Sequence, residues 1–311
     1  MMLLDAGTNI NFPNLGIKLN DVGSSINIFG FSIAYYGIAI AIGMVVGYLV
    51  AEWQAKRTGQ NKDLYLDFAL YAIILSVIGA RVYYVIFNWN EYKDAPLQIL
   101  NIRNGGLAIY GGIITAVITA FVYTKIKKIS FGLLADTAVL GLIAGQVIGR
   151  WGNFFNREAF GEYSNGLFAM QLNLKDVSSD YTMPVAQLAQ KFAGKEQAYQ
   201  KILEIRNNTV SIEGIPYIQV QPTFLYESVW NLVLLILLIL YSKHKKFDGE
   251  VFLLYLFGYG LGRLWIEGYR TDQLFLFNTP LAVSQLLSGI LVIAAAVVIV
   301  AMRRRKTKKT V

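Results

Sequence analysis

The chain has no cysteine. It therefore has no disulfide, no thiolate nucleophile of its own and no thiolate metal site. Its single histidine, His244, stands in a lysine-rich loop. That excludes a Ser-His-Asp triad and any multi-histidine metal centre. Charge is also scarce: Asp, Glu, Lys and Arg make up 15% of the residues, where soluble domains carry about 25%. No internal repeat and no low-complexity tract is visible. The first 31 residues hold one basic residue, Lys18, and lack the basic-then-apolar order of a cleavable signal peptide. Carboxylates without histidine or cysteine hold divalent ions only weakly, so neither a metal nor a cofactor is expected.

What is present is apolar. Hydrophobic residues form 55% of the chain and gather in long runs, the composition of an integral membrane protein. An all-α membrane fold of about seven spans is expected, at roughly 33–51, 66–87, 106–124, 132–149, 222–242, 250–267 and 281–302, each near the ~20 residues a bilayer requires. Lys56, Arg57 and Lys62 follow the first span, Lys125, Lys127 and Lys128 the third, and Lys243, Lys245 and Lys246 the fifth. Arg303, Arg304, Arg305, Lys306, Lys308 and Lys309 follow the seventh. The opposite short loops hold Lys93, Arg103 and Arg270. The positive-inside rule then puts the N-terminus outside and the C-terminus in the cytoplasm. It also accounts for the net charge of +8 without a nucleic-acid partner.

Five segments follow from this reading: an extracytoplasmic arm (1–32), spans one to four with the motif region (33–161), a small extracytoplasmic head (162–220), spans five to seven (221–302) and a basic cytoplasmic tail (303–311). Within the head, the spacing from Val185 to Ile205 predicts one amphipathic helix. Ser211 to Tyr217 predicts a hairpin or turn.

The stretch Gly149 to Gly161 ends the fourth apolar run with two arginines, two asparagines and a glutamate. If the helix continues, Arg150, Asn153 and Arg157 share one face, and two guanidiniums with amides between them suit a phosphate. Arg150 can equally be an interfacial anchor. The topology brings Tyr36, Arg81, Tyr110, Arg150, Asn153, Glu158, Gln221, Tyr226, Glu227, Arg263, Glu267 and Arg270 to one depth on the outer side. Such convergence predicts one polar cavity. Its arginines (81, 150, 157, 263 and 270) outnumber Glu158, Glu227 and Glu267, so it should be net positive and take an anionic phospholipid. Glu267 can simply neutralise an arginine. The glycine pairs 105–106 and 111–112 can serve close helix packing or approach by a lipid head group.

The sequence from 149 to 161, GRWGNFFNREAFG, resembles the signature of the prolipoprotein diacylglyceryl transferases, roughly G-R-x-G-N-F-x-N-x-E-x-x-G. Further blocks agree in order: YYG at 35–37, GARVYY at 79–84, GGLAIYGG at 105–112, QPTFLYE at 221–227 and GRLWIEGYR at 262–270. The resemblance implies a multi-pass protein of the bacterial cytoplasmic membrane. It implies transfer of the diacylglyceryl group of phosphatidylglycerol to the lipobox cysteine of a preprolipoprotein, with a thioether formed and glycerol 1-phosphate released. It carries Tyr36, Arg150, Asn153, Glu158, Gly161, Arg263 and Glu267 into the site. Arg81 and Arg270 join as lipid contacts on their placement. Arg150 and Arg263 would stabilise charge on the departing phosphate. The thiol proton would pass to Glu158, Glu267 or that phosphate. Tyr110 and Gln221 stand where many family members have histidine, and Phe224 where glutamine is frequent. Tyr110 is accordingly expected to position lipid by hydrogen bonding. The rival reading is a transporter of anionic lipid or phosphorylated solute through the same cavity. The absence of repeated halves counts against it.

Overall fold

A computed structural model describes residues 3–4, 8–102, 105–275 and 282–310. Arg103, Leu281 and Val311, which entered the loop, seventh-span and tail assignments, lie outside them. The chain divides into two compact units, Met1–Gly47 with Leu142–Leu240 and Leu253–Val311, and Tyr48–Gly141 with Tyr241–Phe252.

The expected all-α fold is corrected by two sheets in the first unit. A three-stranded sheet joins β1 (Leu3–Leu4), β4 (Ser25–Ile28) and β5 (Phe31–Ala34), in the order β1-β4-β5. A five-stranded antiparallel sheet joins β2 (Thr8–Phe12), β3 (Ile17–Val22), β6 (Met170–Asn173), β7 (Val210–Ile212) and β8 (Ile215–Val220), in the order β3-β2-β6-β8-β7. The N-terminal arm and the 162–220 segment thus share one sheet. Its strands alternate apolar and polar residues, as in Met170-Gln171-Leu172-Asn173, which sends them to opposite faces of the sheet; along β6 both faces are buried, and on the polar one Gln171 donates to Gln219 (2.9 Å). The register sets Ile10 opposite Leu172, and Leu172 opposite Ile218. All three are fully buried, each contributing about 1.5–3 kcal/mol.

Two short helices cover this face, α5 (Val185–Lys191) and α6 (Glu196–Asn207). They supply Leu188, Ile202 and Ile205 to the same core. The single amphipathic helix expected here is broken at Gly194, whose φ is +78°, a conformation that suits glycine. The expected hairpin is present as β7 and β8, turning through Glu213 and Gly214, both with positive φ.

The remaining elements are long helices: α1 (Tyr35–Arg57), α2 (Asp63–Phe87), α3 (Ile109–Lys127), α4 (Phe131–Asn156), α7 (Thr223–Tyr241), α8 (Glu250–Tyr269) and α9 (Val283–Thr310). Among the described residues, six helices are long and apolar enough to cross a membrane, namely α1 to α4, α7 and α9. The chain is therefore a mostly helical integral membrane protein. α8 is 20 residues long but carries Glu250, Arg263 and Glu267. The basic tail, read as a separate segment, continues α9.

Glycines set the helix contacts in each unit. In the first unit, a Cβ on Gly43 would lie 3.0 Å from the Gly145 carbonyl, so α1 and α4 cross backbone to backbone. Gly258 and Gly262 of α8 receive Leu234 and Trp230 of α7, and the Trp230 indole donates to the Gly258 carbonyl (2.9 Å). Close approach of this kind drives helix association where lipid removes the hydrophobic incentive. In the second unit, Gly79 of α2 and Gly111 of α3 make the same kind of contact. Near the start of α4, Asp136 accepts from the Gly249 and Phe252 amides (2.9 and 3.0 Å) and pairs with Lys245 (2.9 Å). It caps the first turn of α8 from a distant helix.

Candidate active site

The site forms where the head core meets three helix ends of the first unit. Phe154 of α4 and Phe224 of α7 are buried in the same core as Ile10, Leu172 and Ile218. Phe224 packs on Trp151 and Phe154, with ring centroids 5.4 and 5.1 Å apart. Phe224, one of the three departures from the resembled family, thus joins an aromatic cluster. The sheet consequently fixes the C-terminal end of α4 and the N-terminal end of α7, the ends that carry Arg150 and Glu227.

Glu227 is the hub. Its side chain is 3% exposed, and Arg150 Nη2 lies 2.7 Å from its Oε2. Arg263 Nη1 donates to both of its oxygens (3.0 and 3.1 Å). Arg270 Nη1 stands 3.8 Å away. Glu267, one turn after Arg263 on α8, takes the Arg263 Nη2 bond and lies 3.9 Å from Arg270 Nε. Arg270 completes its fork on Asp272, at 2.9 and 2.7 Å. Burial alone raises the Asp272 carboxyl, but the hydrogen bonds and charge of Arg270 outweigh it and hold it below its ordinary value. Sequence reasoning set Glu227 among the acidic partners without giving it a site role, and it missed Asp272. The signal for Glu227 was its position one turn into α7, after the polar Gln221-Pro222-Thr223.

Three guanidiniums therefore meet two buried carboxylates, with Asp272 outside. The balance is much nearer neutrality than the five arginines suggested, because two of those arginines are committed elsewhere. Arg157 does not continue the face of Arg150 and Asn153. α4 ends at Asn156, Arg157 turns left-handed (φ +50°), and the Glu158 amide returns to the Asn153 carbonyl (3.1 Å), a helix-terminating arrangement. The buried Arg157 guanidinium donates to the Phe155 carbonyl (3.0 Å) and the Val22 carbonyl, and ion-pairs with Asp176 (3.2 Å). Arg81 belongs to the second unit. It donates to the carbonyls of Gln98, Ile99, Asn101, Gly105 and Gly106 at 2.7–3.1 Å. A Cβ on Gly106 would lie 2.2 Å from its Nη1, so that glycine admits the guanidinium.

Of the three arginines on Glu227, Arg150 is the most open, with 22% of its side chain exposed against 14% for Arg263 and for Arg270. Asn153, one turn on, donates to Glu158 Oε1 (3.0 Å), and Asn156 adds a second, longer bond to that atom (3.4 Å). Glu158 is exposed. Tyr36 lies over Gly152, where a Cβ would come 2.6 Å from its ring. The Gly161 amide donates to the Gln221 carbonyl (2.9 Å) and the Glu162 amide to the Tyr269 carbonyl (2.8 Å). A Cβ at 161 would meet that of Gln221 at 2.9 Å, so Gly161 lets the entry to α7 and the exit of α8 converge. Tyr110 opens α3 in the second unit, 39% exposed. One cluster thus unites Arg150, Arg263, Glu267 and Arg270. Asn153, Glu158, Tyr36 and Gly161 lie along the same α4 end and its continuation.

A family profile described as prolipoprotein diacylglyceryl transferase matches residues 24–301. The phosphatidylglycerol–prolipoprotein diacylglyceryl transferase of Bacillus licheniformis is 39% identical over 254 residues, 82% of this chain and 82% of the relative. The protein of that name from Clostridioides difficile is 39% identical over 254 residues, covering 82% and 84%. The one from Bacillus cytotoxicus is 40% identical over 256 residues, covering 82% and 83%.

Proposed function

Since the chain belongs to the prolipoprotein diacylglyceryl transferase family, we infer that it is a membrane enzyme that moves the diacylglyceryl group of phosphatidylglycerol to a lipobox cysteine. The observation that carries this reading is Arg150, partly exposed beside Asn153 and braced by a buried glutamate shared with Arg263. In the reaction, the thiolate sulfur forms a bond to the terminal glyceryl carbon of the diacylglycerol moiety. The bond from that carbon to the phosphate oxygen breaks, and glycerol 1-phosphate leaves with the electron pair. The chain has no cysteine, as suits an enzyme whose nucleophile arrives on its substrate. Arg150 and Arg263 stabilise the charge gathering on the phosphate oxygens, and Glu227 holds both guanidiniums in register before lipid arrives. Glu158 takes the thiol proton: it is exposed and held by amides, whereas Glu227 and Glu267 are engaged by guanidiniums. Tyr110 positions the lipid by hydrogen bonding.

In this reading α8 is the seventh span, the N-terminus and both sheets lie outside, the basic C-terminus is cytoplasmic, and the membrane is the bacterial cytoplasmic one. The loop charges support it. So does the pairing of β2 with β6, which needs residues 8–12 and 170–173 on one side of the bilayer, as four crossings allow.

The test is a transfer assay with purified protein, phosphatidylglycerol and a lipobox peptide. Wild type should lipidate the peptide and release glycerol phosphate in equal amounts. Arg150→Lys and Glu158→Gln should bind the lipid but turn over at least ~100-fold more slowly, and Tyr110→Phe should raise KM with kcat retained. Binding without glycerol phosphate release by wild type would sink the transferase reading.

A further inference from the structure

The hairpin of β4 and β5 is used by none of the chemistry above, yet it is built with care. Its cross-strand pairs place Ile26 opposite Ile33 and Ile28 opposite Phe31 on one face, and Ser25 opposite Ala34 and Asn27 opposite Ser32 on the other. The second face is polar, and Ser32 donates to Ser25 (3.0 Å). The first face is apolar and open: Phe31 is 72% exposed and Ile33 41%. The turn is odder still. Phe29 and Gly30 both have positive φ, +50° and +82°, as a tight hairpin turn demands. Asparagine or glycine suits the first of these positions, and a bulky side chain is strained there. Folding alone does not call for phenylalanine at this site, where it is 88% exposed.

The surroundings say what covers this face. The Tyr35 amide, the first residue of α1, donates to the Ser24 carbonyl (2.9 Å). The hairpin therefore sits directly on the end of a membrane-spanning helix. From Val22 to Ala51 the chain carries no charge. An uncharged amphipathic element with aromatic residues at its tip, fixed to the mouth of a span, fits the boundary between head groups and acyl chains.

We propose that the hairpin Ser25–Ala34 is an interfacial wedge, its Phe29 tip and its Phe31–Ile33 face inserted among the lipids of the leaflet at the N-terminal end of α1. The partner is the lipid surface itself, and the wedge sets the depth at which α1 presents Tyr36. Val22, three residues before β4, is held by Arg157, so the wedge is coupled to the segment that carries Glu158.

The absence of native cysteine gives a direct test. Phe29→Cys, Phe31→Cys and, as a control at the exposed β7–β8 turn, Glu213→Cys are each made in the full chain. Each is labelled with an environment-sensitive fluorophore and placed one chain per lipid nanodisc. Labels at 29 and 31 should lose quenching by aqueous iodide, gain quenching by lipids spin-labelled high on the acyl chain, and emit to the blue of the label at 213. Iodide quenching at 29 and 31 equal to that at 213 would overturn the proposal. So would protection that appears only when lipobox peptide is added, which would make the hairpin a peptide-docking surface instead.

Discussion

A carboxylate shared by several guanidiniums does two things at once: it lets the cations approach each other, and it fixes the plane of each. Glu227 holds that position here, 3% exposed between Arg150 and Arg263. Removing one partner of a buried ionic group costs about 3–5 kcal/mol. Glu227→Gln should therefore lower the thermal midpoint in detergent as well as activity, whereas Arg150→Lys, which keeps the charge, should lower activity with little change in midpoint. Equal midpoints for wild type and Glu227→Gln would show that the cluster does not depend on it. Asp272 makes a pH-dependent contribution. Its carboxyl is held below its ordinary value by Arg270, so the stability it adds is present above the usual carboxylate pKa of about 4 and vanishes as pH falls through the depressed value. The midpoint of Asp272→Asn should lie below wild type at neutral pH and converge with it on acidification; a constant gap would refute the assignment. At this scale the sequence was a good guide to identity and a poor one to partners. Arg150, Arg263 and Glu267 were legible because charge inside an apolar run stands out. The fates of Arg81 and Arg157 were not, because both guanidiniums are taken up by backbone carbonyls, and carbonyls leave no mark in a sequence.

Between residues and molecule lie the helix contacts. Gly262 immediately precedes Arg263, and Trp230, three residues after Glu227, packs on it; a Cβ at 262 would lie 2.3 Å from the indole nitrogen. The α7–α8 spacing at this glycine thereby sets the Arg263–Glu227 distance. Gly262→Val should push the helices apart and reduce both activity and thermal midpoint. Gly268→Ala, whose Cβ would meet only the end of Gln285 at 3.5 Å, should stay within about 0.5 kcal/mol of wild type. If the valine variant keeps full activity, the glycine does not set the register. The apolar runs located these helices well, since length and hydropathy are local properties. The break between α5 and α6 escaped because the apolar spacing continues across Gly194, and only the backbone shows the turn there, closed by the Lys195 amide on the Phe192 carbonyl (2.8 Å).

At the scale of the whole molecule, a sheet made from two distant segments organises one end of the first unit. Its core column of Ile10, Leu172 and Ile218 is fully buried. Ile218→Ala should cost about 2–5 kcal/mol, and it should also slow transfer, since Phe154 and Phe224 share that core. A stability loss with turnover unchanged would separate head from site. Apart from the β7–β8 hairpin, the sheet was illegible in the sequence because its strands are short and the pairing of β2 with β6 and of β6 with β8 is remote. The same remoteness has a consequence during synthesis. Ile10 leaves the ribosome before any span, but its partner Leu172 follows only after 161 intervening residues and four long helices. The β2–β3 hairpin can pair at once, but the other edge of β2 must wait until the fourth helix has been threaded, and the end of α4 that carries Arg150 cannot set until that edge is captured by β6. A chain arrested before that moment keeps one edge of β2 open and has no assembled arginine–carboxylate cluster.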